Sequence, residues 1–240
     1  MKILAFDSSA VIASVALCDD ERLLGEYTLN NGNTHSETLL PMAESILAAC
    51  ETTVDDIDLF AVAAGPGSFT GVRIGAATVK GLAFSTGKPC IGVSTLEALA
   101  YNLNVTDGIV VPVMNARRGQ VYTAIFRFTD GVAERLMEDS AIAITELDTQ
   151  LEKFSAPVRL VGDGYHVTAP VLKHAIRPVP ERLRHQSAYS VAQVARIAHE
   201  RGVNTTDRAL APTYLRLSQA ERERVEREQR ERGEGPEYTV

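Results

Sequence analysis

Asp7, Ser8 and Ser9 sit between two apolar runs near the start of the chain. In that setting the turn of an antiparallel strand pair can offer hydroxyls and backbone N–H groups to a phosphate, and the carboxylate can hold a metal-bound water. The plainer alternative is that Asp7 closes a strand and its side chain caps the turn. A second candidate is Gly65-Pro66-Gly67-Ser68-Phe69-Thr70-Gly71, which follows the apolar run Leu59 to Ala64 and precedes Val79, Leu82 and Ala83 at helical spacing. N–H groups near Gly67 and Ser68, at a helix start, suit an anion. The segment nevertheless lacks the Gly-Lys-Ser/Thr ending of a P-loop and the GxGxxG spacing of a dinucleotide fingerprint. Gly162-Asp163-Gly164, after Val158 to Val161, is either a further phosphate-facing turn or an ordinary one.

Other chemistry has less support. His35 is the histidine near the first motifs, and His166, His174, His185 and His199 lack HxxxH or HExxH spacing. With no GxSxG elbow and no Cys/His constellation, neither common hydrolase type is indicated, and no catalytic residue or metal ligand is assigned. Arg117-Arg118 reads as an anion contact or as a charged hairpin. A net charge of −7 over 240 residues argues against a broad nucleic-acid-binding face, though a local patch can hide within that average. The three cysteines, Cys18, Cys50 and Cys90, lie in apolar surroundings and read as buried reduced thiols. The N-terminal MKILAFDSS has too short an apolar stretch for a signal peptide, and no run approaches a membrane span, so cytoplasmic residence is expected.

The elements that must position these residues read as two similar halves. Ile3 to Asp7, Ala13 to Cys18 and Leu23 to Leu29 are strand-like, with short links that favour antiparallel pairing. A helix from His35 follows, with Leu39, Met42 and Ile46 on one face, and Pro41 in its first turn or at a kink. A strand at Leu59 to Ala63, a helix after Gly71, a strand at Cys90 to Val93 and a helix after Ser94 complete the half. Ser94 and Glu97 have capping-box spacing. In the second helix Gly71 and Gly75, one turn apart, leave room for a close approach, by internal packing, a partner helix or a ligand alike, whereas Arg73 and Lys80 read as a solvated face. Then the order starts over: Ile109 to Met114, Gln120 to Phe128 and Val132 to Met137 are strand-like, with a hairpin signal at Thr129-Asp130-Gly131. A helix at Thr145 to Lys153, a strand at Val158 to Val161 and a helix at Ser190 to Arg201 follow. Two related α/β lobes with a cleft between them are expected, over residues 1–103 and 104–217. Residues 218–240, where Glu and Arg alternate, form a charged tail that cannot build a core.

Several segments, in order, carry a resemblance: Ile3 to Ser9, His35 to Pro41, Ala64 to Gly75, Lys80 to Ala83, Gly92 to Leu99, Asn115 to Tyr122 and Pro212 to Arg216. From Met1 to about Glu223 the chain resembles the TsaB (YeaZ) family of bacterial tRNA threonylcarbamoyladenosine biosynthesis proteins. The resemblance implies a two-lobed, duplicated ββαβα-type fold like actin, Hsp70 and sugar kinases (ribonuclease H-like), with the second lobe reduced. It implies a noncatalytic paralogue of the transferase TsaD that, with TsaE, supports formation of N6-threonylcarbamoyladenosine at position 37 of tRNA. TsaD carries two histidine metal ligands just after the matching strand; here that stretch reads Val93-Ser94-Thr95-Leu96-Glu97-Ala98, without histidine. Asn115 stands where many relatives have Asp.

The implied partners are TsaD as a heterodimer, TsaE, a second copy of the chain when TsaD is absent, and tRNA only through the complex. No cofactor is required by the resemblance, beyond weak ATP or ADP at the assembly. The helices carrying His35, Leu39, Met42, Ile46, Gly71, Gly75 and Val79 match those through which the family associates, so Gly75→Arg is expected to block association and spare the fold. Anion or nucleotide contacts would fall on Asp7, Ser8, Gly67, Ser68 and Gly162. The alternative is a small-molecule kinase or ATPase of the same superfamily, which needs a carboxylate opposite Asp7.

Overall fold

A computed structural model of the chain describes residues 1–216. The expected tail at 218–240 lies outside those residues. In the first half β1 (Lys2–Asp7), β2 (Ala13–Asp19) and β3 (Arg22–Leu29) form an antiparallel meander, as the short links predict. After α1 (His35–Ala49), β4 (Leu59–Ala63) joins β1 in parallel. After α2 (Phe69–Thr86), β5 (Cys90–Val93) joins β4, giving the order β3-β2-β1-β4-β5. α3 (Thr95–Tyr101) closes the half.

The second half repeats the scheme with one strand fewer. β6 (Gly108–Asn115), β7 (Gln120–Thr129) and β8 (Val132–Ala143) form the meander, and after α4 (Ile144–Leu151) β9 (Arg159–Val161) adds in parallel to β6. The order β8-β7-β6-β9 is that of the first sheet without its last strand. A single-turn α5 (Tyr165–Thr168), which no sequence pattern announces, precedes α6 (Ala188–Glu200).

Strand alternation builds three apolar clusters. Leu4, Phe6, Val15 and Leu17 point to one face of the first sheet and pack under α1 and α2 with Leu39, Met42, Ile46 and Val79. Ile3, Ala5, Ala16 and Cys18 point the other way, against α3 and α6, which also cover Val110, Phe126 and Phe128 of the second sheet. Ile109, Val111 and Val113 fill the outer face beneath α4. The molecule is therefore layered α1/α2, sheet, α3/α6, sheet, α4. Central strands covered on both sides explain the unbroken apolar runs at 59–63 and 109–114, and each fully buried Phe or Leu contributes about 2 kcal/mol.

The chain then crosses back. α6 packs against β1, β2, β4 and β5, held by Ser14 Oγ accepting from the Ala188 N–H (3.0 Å) and by Glu26 Oε1 accepting from the Ser187 hydroxyl (2.8 Å). Residues 205–216 run on along the first lobe as a strap.

Several element ends differ from expectation for local reasons. α2 starts at Phe69 because the Ser68 hydroxyl caps it, accepting from the Gly71 N–H at 3.3 Å. Pro41 lies in the second turn of α1, on its exposed side, and the helix continues to Ala49. β8 runs on to Ala143, paired with β7 throughout. Only the serine half of the Ser94 box forms, since the Glu97 carboxylate is taken by Arg135 at 2.6 Å. Cys18 and Cys90 are buried thiols, and burial pushes Cys18 up to about 12, but Cys50 is partly exposed.

Candidate functional site

The C-terminal ends of β1, β4 and β6 open onto one cleft between the lobes, with a volume of about 550 Å³. Asp7, at the end of β1, is buried beneath it. Its Oδ1 accepts from the Ser9 N–H (2.9 Å) and hydroxyl (2.6 Å). Burial pushes the Asp7 carboxyl up to about 6, against the pull of the Ser9 bonds and the nearby His35. Asp163, in the turn after β9, lines the cleft from the other lobe; burial raises its carboxyl too, and its Oδ1 accepts from the Asn115 N–H at 3.3 Å. The Asp163 charge adds a smaller upward push on the Asp7 carboxyl, after burial. The sequence marks Asp7 as a candidate and Asp163 only as part of a glycine turn, because the pairing is created by two lobes meeting. A pair of carboxylates could hold a cation, but one Asp7 oxygen is already committed to Ser9.

The glycine turn fits against the β1–β2 turn. A Cβ on Gly67 would collide with the Ser9 carbonyl oxygen, and one on Gly71 with that of Ser8. The Ser68 N–H donates to Ser9 O (2.6 Å), and the Ser8 hydroxyl donates to Gly71 O (2.9 Å). Across the cleft the Gly162 N–H donates to Arg184 O (2.7 Å) and the Gly164 N–H to Val113 O (3.0 Å). The donors expected at Ser68 and Gly162 to cradle an anion are thus spent on protein carbonyls. These glycines are explained by close backbone approach.

The strap borders the same cleft. Thr205 bonds to Cys90 through backbone and hydroxyl, Lys80 Nζ donates to Leu210 O (3.1 Å), and the Thr213 N–H donates to Ala64 O (2.7 Å). Tyr214 stacks on Phe69 at 4.6 Å, and its hydroxyl accepts from Arg73 Nε (2.9 Å) while the Arg73 guanidinium lies 3.8 Å over the Phe69 ring. Arg216 Nη1 donates to Ala116 O of the second lobe at 2.8 Å. Arg73 and Lys80, which sequence reads as solvated, therefore hold the strap. At the opposite lip Arg117 (φ 63°) and Arg118 (φ 54°) are both exposed and left-handed, a conformation costing roughly 1 kcal/mol per non-glycine residue.

The residues expected to meet a partner face the other way. Leu39, Met42, Ile46 and Val79 are core side chains, and Gly71 and Gly75 lie against the β1–β2 turn; a Cβ on Gly75 would be 2.6 Å from Ser8 Oγ. His35 is half-buried, its Nε2 2.7 Å from Ala10 O. Apolar periodicity found the inward stripe, as it does for any helix on a sheet. The same helices expose what that stripe excludes: Leu40 is 44% exposed and Phe84 74%, with Ala77 and an open Gly81 on the Phe84 side of α2. Large apolar residues out of phase with the core stripe were the available signal. Gly75→Arg would consequently disrupt the lobe and not report on a partner.

Three comparisons bear on this architecture. A family model described as TsaD, tRNA N6-adenosine threonylcarbamoyltransferase, matches residues 23–224. The chain is 31% identical to the tRNA threonylcarbamoyladenosine biosynthesis protein TsaB of Bacillus subtilis strain 168, over 94% of this chain and 99% of that protein. It is 34% identical to the protein of the same name from Escherichia coli K12, over 69% of this chain and 72% of that one. A solved Pseudomonas aeruginosa structure, described as similar to the peptidase YEAZ, superposes with a TM-score of 0.79 at 26% identity, covering 90% of this chain and 99% of that one. An ethanolamine utilization protein EutJ from Carboxydothermus hydrogenoformans shares the fold more distantly, with a TM-score of 0.50 at 12% identity over 80% of this chain and 89% of that one.

Proposed function

The chain belongs to the TsaB (YeaZ) family among the TsaD-like proteins, and from that membership we propose that it is a noncatalytic scaffold subunit for formation of N6-threonylcarbamoyladenosine in tRNA. In this reading it acts in the cytoplasm, binds and stabilises the TsaD transferase, works with TsaE, and pairs with a second copy of itself when TsaD is absent. The observation that carries it is the pair of large apolar side chains, Leu40 of α1 and Phe84 of α2, left exposed among the described residues. A solvated Phe at 74% exposure is poorly explained by the fold itself, and aromatic anchors of this kind dominate association energies. The stretch from Val93 to Ala98, which lacks the transferase's histidine pair, supports the noncatalytic part.

Leu40→Glu combined with Phe84→Glu is expected to abolish co-elution with TsaD and to lower modification of tRNA in the reconstituted system by at least tenfold, with an unchanged circular dichroism spectrum. Wild-type co-elution of that double variant would sink the proposal. A peptidase reading finds the cleft hydroxyls of Ser8 and Ser9 bonded to Gly71 O and to Asp7, and not to a histidine. The facing carboxylates Asp7 and Asp163 favour a second reading, a small-molecule kinase or ATPase. Calorimetry with ATP and magnesium separates the two: micromolar binding with turnover by the chain alone would displace the scaffold reading.

A further inference from the structure

We propose that the lip of the interlobe cleft, formed by Arg117, Arg118, Arg73, Arg216 and Tyr214, contacts single-stranded RNA, taking phosphodiesters on Arg117 and Arg118 and one unstacked base on Tyr214. Three segments form this lip: residues 66–74, 114–123 and 211–216. Together they hold four arginines and no aspartate or glutamate, in a chain whose net charge is −7. Asp163 lies below them, in the lining of the cleft, where burial raises its carboxyl. A positive rim on an acidic molecule steers a polyanion to one place and repels it elsewhere.

The backbone supports the same conclusion. Arg117 and Arg118 are consecutive left-handed residues followed by Gly119, also left-handed at φ 72°, at the tip of the β6–β7 turn. Glycine would adopt these conformations more easily, so the turn carries two guanidinium groups against its own backbone preference. The Arg117 N–H donates to Asn115 Oδ1 at 2.8 Å, which holds the turn in this form.

Facing it, Tyr214 is 42% exposed, with Phe69 stacked behind it and its hydroxyl tied to Arg73. A ring fixed in this way loses little freedom when a base stacks on it. A cleft of about 550 Å³ admits one extruded nucleotide and no helix, which points to single-stranded RNA. The choice of RNA as the polyanion rests on the proposed role in tRNA modification. It departs from the expectation that tRNA is met only through the complex.

The test uses the full-length chain, alone and mixed with TsaD, and a fluorescein-labelled anticodon stem–loop RNA followed by anisotropy. The double variant Arg117→Gly/Arg118→Gly should bind about tenfold more weakly and lower the slope of log affinity against log salt by about 1.4, the loss of two single-strand phosphate contacts. Its melting temperature should rise, because glycine relieves the left-handed turn. Affinity and stability thus move in opposite directions, which a merely structural role would not produce. Lys2→Ala/Arg22→Ala removes the same charge at the far ends of β1 and β3 and should leave affinity unchanged. Unchanged affinity and salt slope in the lip variant, or no measurable binding by the wild-type chain in either state, would overturn the proposal. Displacement of the RNA by millimolar AMP would also overturn it and identify a free nucleotide as the ligand. Co-elution with TsaD is recorded in parallel: its loss in the wild type counts against the scaffold reading, and its retention with an insensitive lip counts against RNA contact alone.

Discussion

Asp7 shows how one buried group imposes a pH dependence on the whole lobe. Its carboxyl is held up to about 6 from an ordinary 3.8 because burial outweighs the two bonds from Ser9. Between these values the folded chain binds more protons than the unfolded chain, so this group makes stability fall as pH rises from about 4 to 6. The span is about 3 kcal/mol. Asp7→Asn keeps the acceptor for Ser9 and removes the titration, so urea unfolding from pH 4 to 6 should give a flatter stability profile than wild type by about 2 kcal/mol, the part of that span that falls inside this window; parallel profiles would contradict the assignment. Gly71 is the second informative residue. Because its Cβ would collide with the Ser8 carbonyl oxygen, a backbone atom, Gly71→Ala should destabilise by about 3 kcal/mol in the same assay. A loss under about 0.5 kcal/mol would mean that the β1–β2 turn yields easily. That glycine was visible in the sequence, but its reason was not, since Ser8 meets it only in the folded lobe.

At the scale of elements, α1 and α2 separate what periodicity reveals from what it hides. The stripe Leu39, Met42, Ile46 follows from helical spacing, and it is the stripe that faces the sheet. A surface for a partner is by definition the remainder, legible only once the inward face is known. Pro41 belongs to that remainder. It removes the N–H that would have reached Glu37 in the second turn, next to exposed Leu40. Pro41→Ala should therefore stabilise the isolated chain by about 1–3 kcal/mol in thermal or urea unfolding. No gain would show that the exposed proline ring packs well enough to offset the missing bond.

For the molecule as a whole, an ionic cluster ties the lobes together beside the apolar α3/α6 layer that both sheets share. Arg135 of β8 reaches Glu97 of α3 at 2.6 Å and Asp139 at 2.5 Å, while the Ser94 hydroxyl donates to Asp139 at 2.5 Å; the guanidinium also lies 4.6 Å over the Phe126 ring. These groups are only partly buried, so Arg135→Met should cost about 2 kcal/mol, less than a fully buried pair, and should speed proteolysis between the lobes. A neutral outcome would place the coupling in the α3/α6 layer alone. Apart from the single-turn α5, strand and helix order, the duplication and the inward stripes were present in the sequence, because they depend on local periodicity and turn chemistry. The facing of Asp7 and Asp163, the return of α6 and the strap, the filling of the glycine turn by Ser8 and Ser9, and the outward side of α1 and α2 were decided only by tertiary structure. Each joins residues far apart in the chain, and no local preference encodes which surfaces meet when two lobes close on a shared layer of helices.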